Sequence, residues 1–199
     1  MAYSEFDLKK VRNNFGLQID EQPDLFAAVP PVQPSVTLAH TLAETAHLAM
    51  AINTEKARSE LLIMPVLLDV RRHFPGQASV FSGILFDVDA TRGLTGFADF
   101  LLSREPSQLV LTAPVAVIVE AKNDNLPSGL GQCLATMVAA RCFNTRAQTG
   151  VTMILGAVST GTRWQFLRLD GDNVTIDLHV YALESHVAHI LGILASSLV

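Results

Sequence analysis

The chain predicts an α/β fold, a mixed central sheet flanked by helices with an N-terminal helical arm. Three observations carry that expectation. Helix-like and strand-like periods alternate along the sequence as helix, three strands, helix, two strands, helix. The run Val115-Ala116-Val117-Ile118-Val119 has the length and β-branched content of a fully buried strand. With 199 residues, 49% hydrophobic and 17% charged, the chain is large enough for one sizeable core.

Residues 1–34 read as an irregular arm holding a short helix, and Pro23, Pro30, Pro31 and Pro34 break the chain there. The domain proper then spans 35–199. Ser35 is a helix cap ahead of Leu38, Leu42, Ala46 and Ala49. Asn53 or Thr54 starts a second helix carrying Ala57, Leu61, Met64, Leu68 and Arg71. Pro65 should bend it, because proline lacks a backbone donor and crowds the preceding turn. That helix stops near His73-Phe74-Pro75-Gly76.

The period then changes. Strands are expected at Ser79 to Asp89, at Leu94 to Ser103 and, past a loop through Pro106, up to Lys122. Gly131 to Asn144 should be helical, followed by strands at Val151 to Ser159 and Arg163 to Asp170. After Gly171-Asp172 come a short extended piece and a closing helix from about Leu183 to Leu198. Cys133 and Cys142 fall on one helix about 13 Å apart, too far for a disulfide, so both are expected reduced and buried.

Composition narrows the function. A net charge of −5 argues against a protein that coats nucleic acid, since phosphate binding rests on Lys and Arg. The balance is local, however: between Asp99 and Asp170 stand five acids and six bases, so a basic rim there is compatible with the sequence. No apolar run reaches the ~18 residues of a membrane span, and the N-terminus lacks the basic-then-apolar order of a secretory signal. The expectation is a cytoplasmic chain with no membrane contact.

The chemistry concentrates at the strand ends. Glu120 and Lys122 lie two apart at the end of an apolar strand, so their side chains emerge on one face. Asp99 ends a similar run, and an unpaired carboxylate between Phe97 and Phe100 is costly unless it has work. Two acids and a lysine on neighbouring strands suit a hard cation such as Mg2+ or Mn2+, with the Ala121 carbonyl between them as a further oxygen. A metal neutralises phosphate charge and activates water, and a nearby ammonium steadies the developing charge, which points to phosphodiester hydrolysis.

These residues resemble the PD-(D/E)XK nuclease superfamily, the restriction-endonuclease-like fold, and in particular its small cyanobacterial-type members. The resemblance covers roughly residues 54–145 and rests on Asp99 in Gly-Phe-Ala-Asp-Phe and on Glu120-Ala121-Lys122. Two further positions join it: Glu60, where many members carry a helical glutamate, and Gln132, which opens the helix after the lysine strand. The residue before Asp99 is Ala98 rather than the proline of the motif. The resemblance implies a metal-dependent DNA endonuclease in which Asp99, Glu120, Ala121 and Glu60 hold the metal. Lys122 would assist the water and Gln132 would complete the site; a homodimer is compatible with cutting both strands of a duplex, although no interface is legible in the sequence.

Each residue has a plainer reading beside it. Glu120 and Lys122 also fit a salt-bridged pair at a strand end, Glu60 a helix pair with Lys56, and Gln132 an ordinary first-turn residue. Asp87 and Asp89 are rival carboxylates that precede a turn, where aspartate is common. His186 and His189, three apart, have a spacing that can bind metal but an apolar setting. No Gly-rich phosphate loop and no acyl-transfer triad stands out. The competing functions are a non-catalytic binding or assembly module of the same fold and a small-molecule metallohydrolase.

Overall fold

The computed structural model describes residues 2–199. Its centre is one seven-stranded sheet: β1 (Gln18–Gln22), β2 (Ser79–Leu85), β3 (Phe97–Ser103), β4 (Val115–Ala121), β5 (Met153–Ser159), β6 (Arg163–Asp170) and β7 (Asn173–Ala182). Across the sheet the order is β1-β7-β6-β5-β4-β3-β2. β2, β3 and β4 form an antiparallel meander, β4 and β5 run parallel, and β5, β6 and β7 are antiparallel again. The sheet is therefore mixed, as the alternating periods predict.

The helices are α1 (Leu8–Phe15), α2 (Val36–Ile52), α3 (Glu55–Arg58), α4 (Met64–Arg72), α5 (Leu126–Arg146) and α6 (Leu183–Ser196). The 21-residue α5 supplies the crossover that a parallel β4–β5 pair requires. It covers one face of the sheet over a core that includes Ile118, Leu134, Met137 and Val158. Helices α2, α4 and α6 cover the other face over Leu62, Val66, Val117, Ala157 and Phe166.

Residues 2–34 carry more regular structure than an irregular arm would. Asp7 caps α1 by accepting from the Lys10 N–H, and β1 pairs parallel with β7. Tyr3, Phe6, Val11 and Leu17 are buried in the α5-side core and Phe26 in the other. The segment packs against α5 so closely that a Cβ on Gly131 would stand 2.5 Å from the Asp7 backbone. β1 escaped the sequence reading because Gln-Ile-Asp-Glu-Gln has no apolar alternation, and four of its five residues are exposed. The β7 ladder, not local pattern, makes it a strand.

Ser35 caps α2 and Thr54 caps α3, each through its side chain, as expected. Pro65 acts on the helix before it. Lacking an N–H, it leaves the Leu61 carbonyl without its helical donor. The chain widens into a π turn over Ser59–Ile63, with the Met64 N–H bonded to the Ser59 carbonyl. Thr45 Oγ1 on α2 then donates to the freed Leu61 carbonyl at 2.8 Å. The expected short extended piece after Gly171-Asp172 is a ten-residue strand. Its polar residues hid it: Asp177 is fully buried, accepting from the Tyr181 hydroxyl at 3.0 Å and the His179 N–H at 2.9 Å.

Candidate metal centre at the end of β4

β4 is buried along its whole length, so its last residues carry their side chains into the covered face of the sheet. Phe100 pairs with Val119; one step further along the antiparallel ladder, Asp99 stands opposite Glu120 and shares its face. The contact is direct: Asp99 Oδ2 accepts from the Ala121 N–H at 2.8 Å. The parallel pairing with β5 continues past the strand end, the Lys122 N–H donating to the Ser159 carbonyl at 2.9 Å. The Asp99 side chain on one side and the β5 backbone on the other thus hold the end of β4.

The side chains close on one another. Lys122 Nζ donates to Glu120 Oε1 at 2.5 Å and to the Ala121 carbonyl at 3.0 Å. Only 2% of the Glu120 side chain is exposed, against 19% for Lys122. Burial pushes the Glu120 carboxyl up to about 8, and Asp99 pushes it the same way, outweighing the pull of Lys122. On Lys122 burial acts downward, but the charge and hydrogen bond of Glu120 carry the net shift upward. The site is short of positive charge: two acids face each other and one ammonium serves both.

That ammonium stands between a carboxylate oxygen and a backbone carbonyl, two of the oxygens a hard cation would use. The donor set fits Mg2+ or Mn2+, with Asp99 and Glu120 as carboxylates and Ala121 as carbonyl. Among the described residues, no three His, Cys, Asp or Glu side chains converge as a ready-made cluster.

α5 closes the site from above the sheet. A Cβ on Gly129 would lie 2.7 Å from Val158 Cγ1, 3.1 Å from Lys122 Cγ and 3.2 Å from Lys122 Cε. Only glycine lets the first turn of α5 rest on the lysine stem. One turn on, Cys133 is fully buried and directs its sulfur at the Ala157 carbonyl, 3.5 Å away. Burial, then Glu120, pushes its thiol up. Gln132 is half-buried on the same turn, with its carbonyl accepting from Thr136 Oγ1. Both cysteines are free, and Cys142 is half-buried rather than buried.

Asp99, Glu120, Ala121 and Lys122 therefore come together. Glu60 directs its charge elsewhere, pairing with Lys56 at 2.7 Å with 60% of its side chain exposed. The acid of this helix whose charge acts on both Glu120 and Lys122 is Glu55, which the sequence reading passed over. Its sequence signal is its place directly after the Thr54 cap, at the helix end that nears the strand ends. Arg58, one turn later, ties that end down by donating to the Thr160 carbonyl at 3.0 Å. Gly129 was also passed over, since close approach leaves no mark on periodicity.

The rival groups have structural partners. Asp87 accepts from the Gly96 N–H, and Asp89 caps the turn through Thr91 and Arg92. His189 Nε2 meets the Phe26 carbonyl at 2.9 Å and His186 Nδ1 meets Ser185 Oγ at 2.8 Å. Among the described residues, no helix is long and apolar enough to cross a membrane. Compared with protein-family models, curated proteins and solved structures, the chain matches none.

Proposed function

We propose that the chain is a metal-dependent endonuclease of the PD-(D/E)XK type, with a restriction-endonuclease-like fold, that hydrolyses DNA phosphodiesters in the cytoplasm. The observation that carries this reading is the convergence of Glu120 Oε1 and the Ala121 carbonyl on one ammonium, with Asp99 accepting from the Ala121 N–H. The strand order around it supports the fold assignment: an antiparallel meander, a crossover helix and a parallel strand.

Asp99, Glu120 and the Ala121 carbonyl would hold the divalent ion, and Glu55 would add negative charge from α3. When bound, Mg2+ or Mn2+ supplies charge neutralisation at the phosphate and a more acidic water. With its carboxyl pushed up by burial, Glu120 would hold such an ion in its deprotonated form, so loading would grow with pH. Lys122 would offer its N–H groups to the phosphate oxygens as charge develops there. Its aliphatic stem stays pinned by Gly129, which limits where the ammonium reaches. Gln132, on the next turn, keeps the role the resemblance gives it, completing the site.

A non-catalytic binding module of the same fold is the second reading, favoured by the net charge of −5. Incubation of supercoiled plasmid with the purified chain separates the two. Nicking and linearisation are expected with Mg2+ or Mn2+, and neither in chelator nor in Glu120→Gln or Lys122→Ala. Retained DNA binding without cleavage at any metal concentration would establish the second reading in place of the first.

A further inference from the structure

The row of paired residues that holds Glu120 runs on across the sheet into a cavity. Glu120 pairs with Val158 on β5, Val158 with Gln165 on β6, and Gln165 with Val180 on β7. Paired residues share a face, so Gln165 lies on the Glu120 side of the sheet, two strand spacings or about 10 Å away. There a cavity of about 400 Å³ opens between the start of α5 and the β6–β7 pair, with Asp124, Asn125, Arg163, Gln165 and Val180 among its walls. Its size is that of a small-ligand site.

The polar groups of this cavity are uncommitted. Gln165 is only 9% exposed, and its Nε2 donates to the Asp177 carbonyl at 3.0 Å. That bond fixes the amide and leaves Oε1 as the acceptor offered to the cavity. The β6–β7 register shifts directly after Gln165, and such a bulge re-aims a side chain. Arg163 and Asp124 are exposed, and among the described residues neither side chain has a hydrogen bond or ion pair. Asn125 makes no side-chain cap bond, so α5 also begins there without a cap.

We propose that this cavity binds an unpaired guanine, the base of a nucleotide adjoining the scissile phosphate. The pattern of donors and acceptors selects the base. Guanine alone among the DNA bases sets an N–H and an amine side by side, with acceptors at O6 and N7. Gln165 Oε1 and the Asp124 carboxylate accept from those two nitrogens, and the Arg163 guanidinium donates to O6 and N7. Adenine and cytosine bring a single amine and thymine a lone imide N–H, so each leaves an acceptor of the cavity unserved. In a duplex the same guanine edge is engaged by cytosine, so the base enters only when unpaired or flipped out. Base readout also suits a chain of net charge −5, which has few cations to set against phosphates. The inference rests on the nuclease reading only for the ligand being part of a nucleic acid.

Calorimetric titration of the full chain in chelator with dGMP, dAMP, dCMP and dTMP tests the cavity without a cleavage step. dGMP should bind about tenfold or more tighter than the other three, and dIMP, which lacks the 2-amino group, should lose most of that advantage. Asp124→Asn should erase the preference and Arg163→Gln should weaken dGMP by about tenfold, with urea melts unchanged. Equal binding of the four nucleotides, no binding of any, or a preference that survives Asp124→Asn overturns the proposal. Plasmid cleavage by a chain that binds no nucleotide would remove the cavity assignment alone. Guanine selectivity without cleavage in any metal would keep the cavity and remove the nuclease reading.

Discussion

Replacing Glu120 by glutamine should change how the metal-free protein responds to pH, and the direction follows from the site. The folded carboxyl is pushed up to about 8 from an ordinary 4.5, because it is buried and faces Asp99. The folded state therefore holds this proton more tightly than the unfolded chain. Its stabilising contribution is full below the unfolded value and is lost as pH rises toward the folded one. Each unit of that window corresponds to about 1.4 kcal/mol, so between about pH 6 and about pH 8 the wild type should lose up to about 3 kcal/mol through this group. Lys122 does not blur the window, since its raised value moves its own loss above the ordinary 10.5. Urea unfolding in chelator, for wild type and Glu120→Gln, measures the effect. The variant should gain on the wild type as pH rises. Parallel pH profiles would refute the claim that Glu120 is a buried acid with too little positive charge around it.

Two further outcomes follow from contacts near the site and behind it. Gly129→Ala brings a methyl to 2.7 Å from Val158 Cγ1 and 3.1 Å from Lys122 Cγ. It should cost about 1–3 kcal/mol in a urea melt and lower cleavage beyond what a stability-matched core variant shows. Thr45→Val removes the donor to the Leu61 carbonyl that Pro65 leaves unserved. A loss of about 1–2 kcal/mol in thermal unfolding is expected, and an unchanged midpoint would mean the carbonyl has another partner.

The parts of this molecule that were legible in its sequence are those written as local pattern. The Ser35 and Thr54 caps, the run into Glu120 and the β6 limits Arg163–Asp170 all come from residue type and period. Asp99 and Glu120 could be paired because strand alternation fixes which face each residue takes. What escaped depends on the third dimension. β1 is a strand only because β7 lies beside it, and β7 looked short because its buried polar residues satisfy one another. Glu60 and Glu55 are equally good helix residues in one dimension. Only the docking of Arg58 on Thr160 and the π turn ahead of Pro65 decide which end of that helix nears the strand ends.

The account turns on whether Asp99 and Glu120 together grip a divalent cation that displaces the Lys122 ammonium. Calorimetric titration of the chelator-treated protein with Mn2+, in two buffers of different ionisation enthalpy, measures ion and proton together. It should show one saturable ion per chain with proton release near neutral pH, and both signals should vanish in Asp99→Asn and in Glu120→Gln. Saturable binding that survives both substitutions would place the ion elsewhere, and no binding at all would leave the two acids a structural pair closed by a lysine.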